Sequence, residues 1–357
     1  MRTQALTIRP LALTLGLALG GLDSAASAAE AAAERAIRWA DAVSAAQLTS
    51  NWAALEQTTL AHGGDRSAGS AGYEASARYV EARLHAMGID VRREPFTYNG
   101  KASFNLIAEI AGSAGADAPV VMVGAHLDSV PGSPGADDNG SGSSAVLEIA
   151  RVAMLDRTTA TLQLAWWGAE ESGLNGSIHH ATLLAMDPGR RQRLRVYLNA
   201  DMVGSPNYIF GIYDPDHTSS GDRPAQERLI RQALRDGLGH TGNPSISISP
   251  HLGSDHLPFA ACGIATGGLA SIPGIRNKTP EEQALFGGEA GKRHSPNYHR
   301  PGDRVGAGSA TAQLTLTRAL AYALGHLAEQ PPEATPAARC NLRKARQQWE
   351  QARAVLH

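Results

Sequence analysis

Val120-Val121-Met122-Val123-Gly124-Ala125-His126-Leu127-Asp128 is the stretch on which the fold turns. Residues 120–124 (VVMVG) are apolar without alternation, which predicts a strand covered on both faces. Residues 162–167 and 196–200 share that character. Helices are expected around them at 73–87, 141–155, 226–238 and 310–328. Residues 89–98 and 104–110 alternate like half-buried strands, and short strands fit 208–213, 245–249 and 263–268. Strand alternating with helix predicts an α/β fold: a three-layer α/β/α sandwich around a mixed, mostly parallel sheet.

The 357 residues are 43% hydrophobic and 18% charged, enough apolar surface for a large core and too little charge for bulk disorder. With 32 basic against 34 acidic residues and no basic block, a nucleic-acid partner is not expected. Two cysteines, Cys262 and Cys340, exclude a disulfide framework and a Cys-rich zinc site. Arg2 and Arg9 precede an apolar run at 11–22, the length of a signal-peptide core and too short for a membrane span. Ala26-Ser27-Ala28 fits a cleavage site, so residues 1–28 read as a removed export signal. A periplasmic or secreted destination follows, and one Cys262–Cys340 bridge is compatible with that compartment. Residues 30–330 read as one catalytic domain, beginning with an Ala-rich helical stretch at 30–60. Residues 330–337 (QPPEATPA) form a Pro-rich joint before a charged helix at 339–356, which either docks or projects.

In open α/β sheets the chemistry gathers beyond the carboxyl ends of the strands. The three apolar runs lead into Gly124-Ala125-His126-Leu127-Asp128-Ser129, Trp167-Gly168-Ala169-Glu170-Glu171 and Asn199-Ala200-Asp201-Met202. Between the first two stands Gly135-Ala136-Asp137-Asp138-Asn139-Gly140, which opens a helix. A single His or Asp at a strand end is usually a turn or cap residue, and paired acids usually face solvent. Here Asp137-Asp138 and Glu170-Glu171 abut apolar strands and glycine turns, where like charges are unfavourable unless a cation neutralises them. Carboxylate and imidazole donors suit a pair of zinc ions, with cobalt or manganese as substitutes. One carboxylate can bridge two ions about 3.5–4 Å apart, leaving one His and one carboxylate to each. His126, Asp137, Glu171 and Asp201 fill four of these places, and the second His must follow Asp201. The candidates are His217, His240, His251, His256, His294 and His299. His256 in Ser254-Asp255-His256 is attractive, and so is His299, which Asp303 can orient by folding back across a Pro-Gly turn. Spacing leaves both open.

Six ordered stretches resemble the M28 zinc aminopeptidases, most closely the small secreted bacterial enzymes of the Streptomyces and Aeromonas type. They are GAHLDSV at 124–130, GADDNGSG at 135–142, WGAEESGLNGS at 167–177, NADMVGSPN at 199–207, SDHLPF at 254–259 and YHRPGD at 298–303. The likeness runs from about Asn51 to His326. It implies a zinc-peptidase, phosphorylase/hydrolase-like fold and two co-catalytic zinc ions. His126 and Asp201 would serve one ion and Glu171 and His299 the other, with Asp137 as the bridge. Glu170 would be the general acid/base, Asp128 the partner of His126, and Tyr298 a stabiliser of the tetrahedral intermediate. The resemblance also implies a cis peptide at Asp137–Asp138 and takes His256 out of the ligand set. The implied activity is that of an aminopeptidase, a hydrolase that releases the N-terminal residue of peptides with a free N-terminus. Residues 104–110 are followed almost at once by Val120, so the protease-associated domain inserted in some relatives has no room. Streptomyces-type relatives close the last histidine loop with a disulfide, whereas this chain has Asn297 and Gly302 there.

Competing readings are an M20-like metallo-amidase or carboxypeptidase, a glutaminyl cyclase, and a non-catalytic binding module on the same fold. The first inserts a lid domain, for which the span from Asp201 to His299 leaves little space. An intact His126 argues against the second, and a complete ligand set with its base against the third. Trp166, Trp167 and Phe259 are candidates for a side-chain pocket, with a core position the plainer reading of Trp166. His179-His180 read as surface or core residues. Gly140-Ser141-Gly142-Ser143-Ser144-Ala145 only weakly matches a dinucleotide-binding turn, since no strand runs directly into it. The expected protein is a monomer acting on peptides, with neither nucleic acid nor membrane as a partner.

Overall fold

A computed structural model describes residues 16–217, 225–250, 253–334 and 340–354, with side chains from residue 27 onward. Of the expected export signal, residues 1–15 lie outside the described residues, and the remainder begins helix α1 (Gly16–Ala42). Two helices follow, α2 (Ala45–Ala61) and α3 (Ala71–Ala86), and then strands β1 (Val91–Tyr98), β2 (Lys101–Ile110) and β3 (Val120–His126). The chain continues through α4 (Gly142–Ala153), β4 (Thr161–Trp167), α5 (Asn175–Met186), α6 (Pro188–Arg193) and β5 (Leu194–Ala200). Next come β6 (Gly211–Tyr213), α7 (Ala225–His240), β7 (Ile246–Ile248), α8 (His256–Ala261) and β8 (Ala265–Ala270). Helices α9 (Pro280–Phe286), α10 (Ala310–Glu329) and α11 (Leu342–Ala354) complete the described chain.

The strands form one mixed sheet in the order β1-β2-β4-β3-β5-β8-β6-β7. Its centre, β4-β3-β5-β8, is parallel, while β1, β2 and the β6–β8 pairing run antiparallel. The buried runs of the sequence are this centre. Alternate residues of β3 supply opposite faces: Val121, Val123 and Ala125 enter the core shared with α1–α4, α7 and α10. Val120 and Met122 enter a second core with Leu184 of α5 and Phe259 of α8. Helices thus cover both faces, as the sequence pattern requires. The last strand sits later than the expected 263–268 because Gly263, at φ 72°, still closes the turn after α8. The expected strand at 208–213 shortens to Gly211–Tyr213.

The charged tail helix docks. Cys262, just past α8, is disulfide-bonded to Cys340, just before α11. Ala345 of α11 is buried in a small cluster with Leu174 and Leu257. Arg346 donates to Asn175 Oδ1 at 2.7 Å. Among the described residues, no helix is long and apolar enough to cross a membrane.

Candidate metal centre

The parallel strands deliver their acidic and imidazole ends to one cleft. His126 is the last residue of β3 and is buried. Its Nδ1 meets the backbone oxygen of Asp128 at 3.0 Å, which turns Nε2 toward the cleft. Nε2 lies 3.2 Å from Asp138 Oδ1 and 3.4 Å from Asp201 Oδ1. On the other side, His299 Nε2 lies 3.1 Å from Asp138 Oδ2 and 3.2 Å from Glu171 Oε2. Each oxygen of Asp138 therefore faces a different imidazole.

The carboxylate between the two histidines is thus Asp138 and not Asp137, the residue expected to stand there. Asp137 turns the other way, accepting from Ser205 Oγ at 2.6 Å and from the Gly204 amide at 3.1 Å. Burial, with the charge of Asp303, pushes its carboxyl up to about 8 despite those donors. Burial acts on Asp138 in the same sense, but the hydrogen bonds and charges of His126 and His299 outweigh it and hold that carboxyl well below its ordinary value. The cis peptide likewise falls one residue later than expected, at Asp138–Asn139.

The supporting contacts differ from expectation too. Asp303 does not orient His299. Its two oxygens accept from the backbone amides of Asp137 and Asp138, at 2.8 and 3.1 Å, and so hold the Asp138 turn. Asp128 meets His126 chiefly through its carbonyl, with 3.7 Å between Asp128 Oδ1 and Nδ1. Its carboxylate accepts from the amides of Glu170 and Glu171, at 3.0 and 3.2 Å, and fixes that pair. In the SDH stretch it is Ser254 that reaches the centre, donating to Asp201 Oδ2 at 2.6 Å. His256 instead meets the Pro250 carbonyl and the Tyr213 ring. Trp166, Trp167 and Phe259 are buried core residues, and the cleft is lined by Met202, Tyr213, Ile272 and Ile275 instead. His180 is buried against Glu94 at 2.9 Å.

Three further residues, Arg66, Trp349 and Arg353, had no signal in the sequence. Arg66 is fully buried and donates to the carbonyls of Leu127, Pro134 and Gly135, pinning the chain between β3 and the Asp138 turn. Gly135 sits at φ 61°, and a Cβ there would lie 2.4 Å from the Asp138 carbonyl oxygen, so only glycine fits. Trp349 of α11 donates to Glu170 Oε1 at 2.9 Å, and Arg353 pairs with Glu171 Oε2 at 2.9 Å. Three non-glycine residues with left-handed backbone stand at the centre: Ala169 at φ 56°, Met202 at φ 53° and His299 at φ 58°. Each aims a site side chain from a turn.

The donor set fits divalent cations. Glu171 Oε1, Asp201 Oδ1 and His299 Nε2 are buried and make no hydrogen bond. Imidazole and carboxylate atoms of His126, Asp138 and Glu171 lie within 4.8 Å of one another. Such orphaned atoms are costly unless an ion satisfies them. Burial opposes charge on both imidazoles, but Asp201 and Asp138 push His126 well above its ordinary value, and Asp138 and Glu171 push His299 up to about 9. Glu170, buried beside them, is raised well above an ordinary carboxyl, chiefly by burial. Tyr298 stacks on the His299 ring, 3.7 Å between centroids, and burial keeps its phenol protonated.

A helix-covered mixed sheet with this cluster at its strand ends is an α/β fold carrying a candidate metal site. The sequence model of peptidase family M28 matches residues 105–324. The leupeptin-inactivating enzyme 1 of Streptomyces exfoliatus is 36% identical over 332 residues, covering 91% of this chain and 72% of that protein. Leucine aminopeptidase 2 of Trichophyton rubrum is 36% identical over 69% of this chain, which spans 50% of that relative's length. The zinc aminopeptidase of Bacillus subtilis shares the fold, with a TM-score of 0.67 at 19% identity over 83% of this chain and 98% of that one. The chain belongs to peptidase family M28 and stands among the peptide hydrolases.

Proposed function

We propose that the protein is an exported di-zinc aminopeptidase. The observation that carries this reading is Asp138, whose two oxygens each face a separate histidine, with a further carboxylate on either side. His126 and Asp201 would hold one ion, His299 and Glu171 the other, and Asp138 both. When bound, the ions would acidify a shared water and polarise the peptide carbonyl.

The remaining work falls to the chain. Glu170 takes the proton of the attacking water and passes it to the leaving amine; its burial suits a base that must also act as an acid. The Tyr298 hydroxyl, held protonated, donates to the developing oxyanion. Acidic side chains in the cleft attract a free α-ammonium, so the enzyme reads a chain end. Ser254, Asp128 and Asp303 keep Asp201, the Glu170-Glu171 pair and the Asp138 turn in place. Export rests on the reading of residues 1–28 and suits the Cys262–Cys340 disulfide.

The test is hydrolysis of leucyl-p-nitroanilide by the purified protein, alongside its N-acetylated form. The expected result is turnover of the free amine alone, lost to a chelator and restored by zinc. Equal cleavage of the blocked substrate, or indifference to the chelator, would sink the assignment.

A further inference from the structure

The family match ends before α11, and the proposed reaction gives that helix no task. Yet α11 brings Trp349, Ala352 and Arg353 into the wall of the cleft that also holds Asp138, Glu170 and Glu171. Trp349 donates to Glu170 Oε1 at 2.9 Å, and the Arg353 guanidinium lies over the Trp349 ring, 4.8 Å from its centroid. The helix is fixed by the disulfide, by buried Ala345 and by the Arg346–Asn175 hydrogen bond. It sits so close that a Cβ on Gly253 would lie 2.7 Å from the Ala352 methyl. It does not fill the cleft, where a cavity of about 340 Å³ remains. That is near the small end of the roughly 300–1,000 Å³ of pockets that enclose a small molecule. A covalently pinned helix beside an open cavity acts as a wall and not as a stopper.

We infer that α11 sets substrate length, so that the cleft takes dipeptides and tripeptides and disfavours longer chains. This rests on the aminopeptidase reading and gives it a substrate class. The scissile bond must reach Asp138 and Glu170, and each residue beyond it extends the substrate by about 3.3–3.6 Å. Within a few residues the chain meets Trp349 and Arg353, held by their bonds to Glu170 and Glu171.

The test compares a dipeptide, a tripeptide and an octapeptide with the same N-terminal leucine on the zinc-loaded protein. In the wild type kcat/KM should fall by about tenfold or more, some 1.4 kcal/mol, from dipeptide to octapeptide. Trp349→Ala should raise the octapeptide-to-dipeptide ratio about fivefold. Loss of the bond to Glu170 affects all lengths alike and cancels in the ratio. Calorimetric affinities on Glu170→Gln, whose turnover is expected to be about 10²–10⁴-fold slower, should follow the same length order. An unchanged ratio, or an equal gain at every length, overturns the length gate alone. Absence of chelator-sensitive hydrolysis at any length overturns the aminopeptidase reading itself.

Discussion

The two histidines of the centre sit in unlike surroundings. His126 ends a central strand, is buried, and meets Asp201 from just beyond the neighbouring strand β5. His299 stands on an irregular loop at φ 58°, its side chain 17% exposed, and meets Glu171 from a turn and Arg353 from the tail helix. One half of the site is built on the sheet and the other on loops and an appended helix. Side chains on regular elements hold their geometry more tightly than those on loops. The His299 half should therefore bind its ion less firmly.

The prediction with the largest effect concerns the shared residue. Asp138→Ala should lose both ions and all measurable turnover, whereas Asp137→Asn should keep two ions by atomic emission. The opposite outcome would return the bridge to Asp137. Next, Glu170→Gln should retain both ions while turnover drops about 10²–10⁴-fold. Near-normal activity there would remove Glu170 as the base. Asymmetry between the halves is tested by metal counting after graded chelation. One ion should leave well before the other, His299→Ala should keep one, and His256→Ala should keep two. Simultaneous loss would erase the contrast.

A smaller effect concerns protons. In the metal-free protein burial opposes charge on both rings, but the facing carboxylates favour it and raise His126 above its ordinary value and His299 to about 9. Metal ligation requires the neutral ring, so loading at pH 7 should release protons. Apparent zinc affinity should fall as the pH is lowered below about 9. Calorimetry in buffers of different ionisation enthalpy measures the release, and a value near zero would contradict these charge states. The smallest change is expected of Arg353→Ala. Removing a cation beside Glu171 should strengthen binding on the His299 side by a few-fold and leave the other half unchanged.

The sheet was legible because its central strands are short apolar runs, each ending in a chemically marked residue. His126, Glu171, Asp201 and His299 follow from strand ends and motif likeness, and the structure draws them together. The Asp137-Asp138 pair was not resolvable. Adjacent identical carboxylates carry no sign of which one faces the histidines; that depends on the turn that Asp303 and Arg66 hold from far along the chain. Distance in sequence also hid Ser254, overshadowed by His256 two positions later. The tail helix read only as a charged segment after prolines, because its contacts are made by Trp349, Arg353 and one buried alanine.

The bond between Cys262 and Cys340 makes α11 indifferent to the continuity of the backbone that leads to it. A protease that severed the proline-containing connection after Glu329 would produce two polypeptides travelling as one molecule. The wall over Glu170 would outlast the cut and come away only once a reductant opened the bridge.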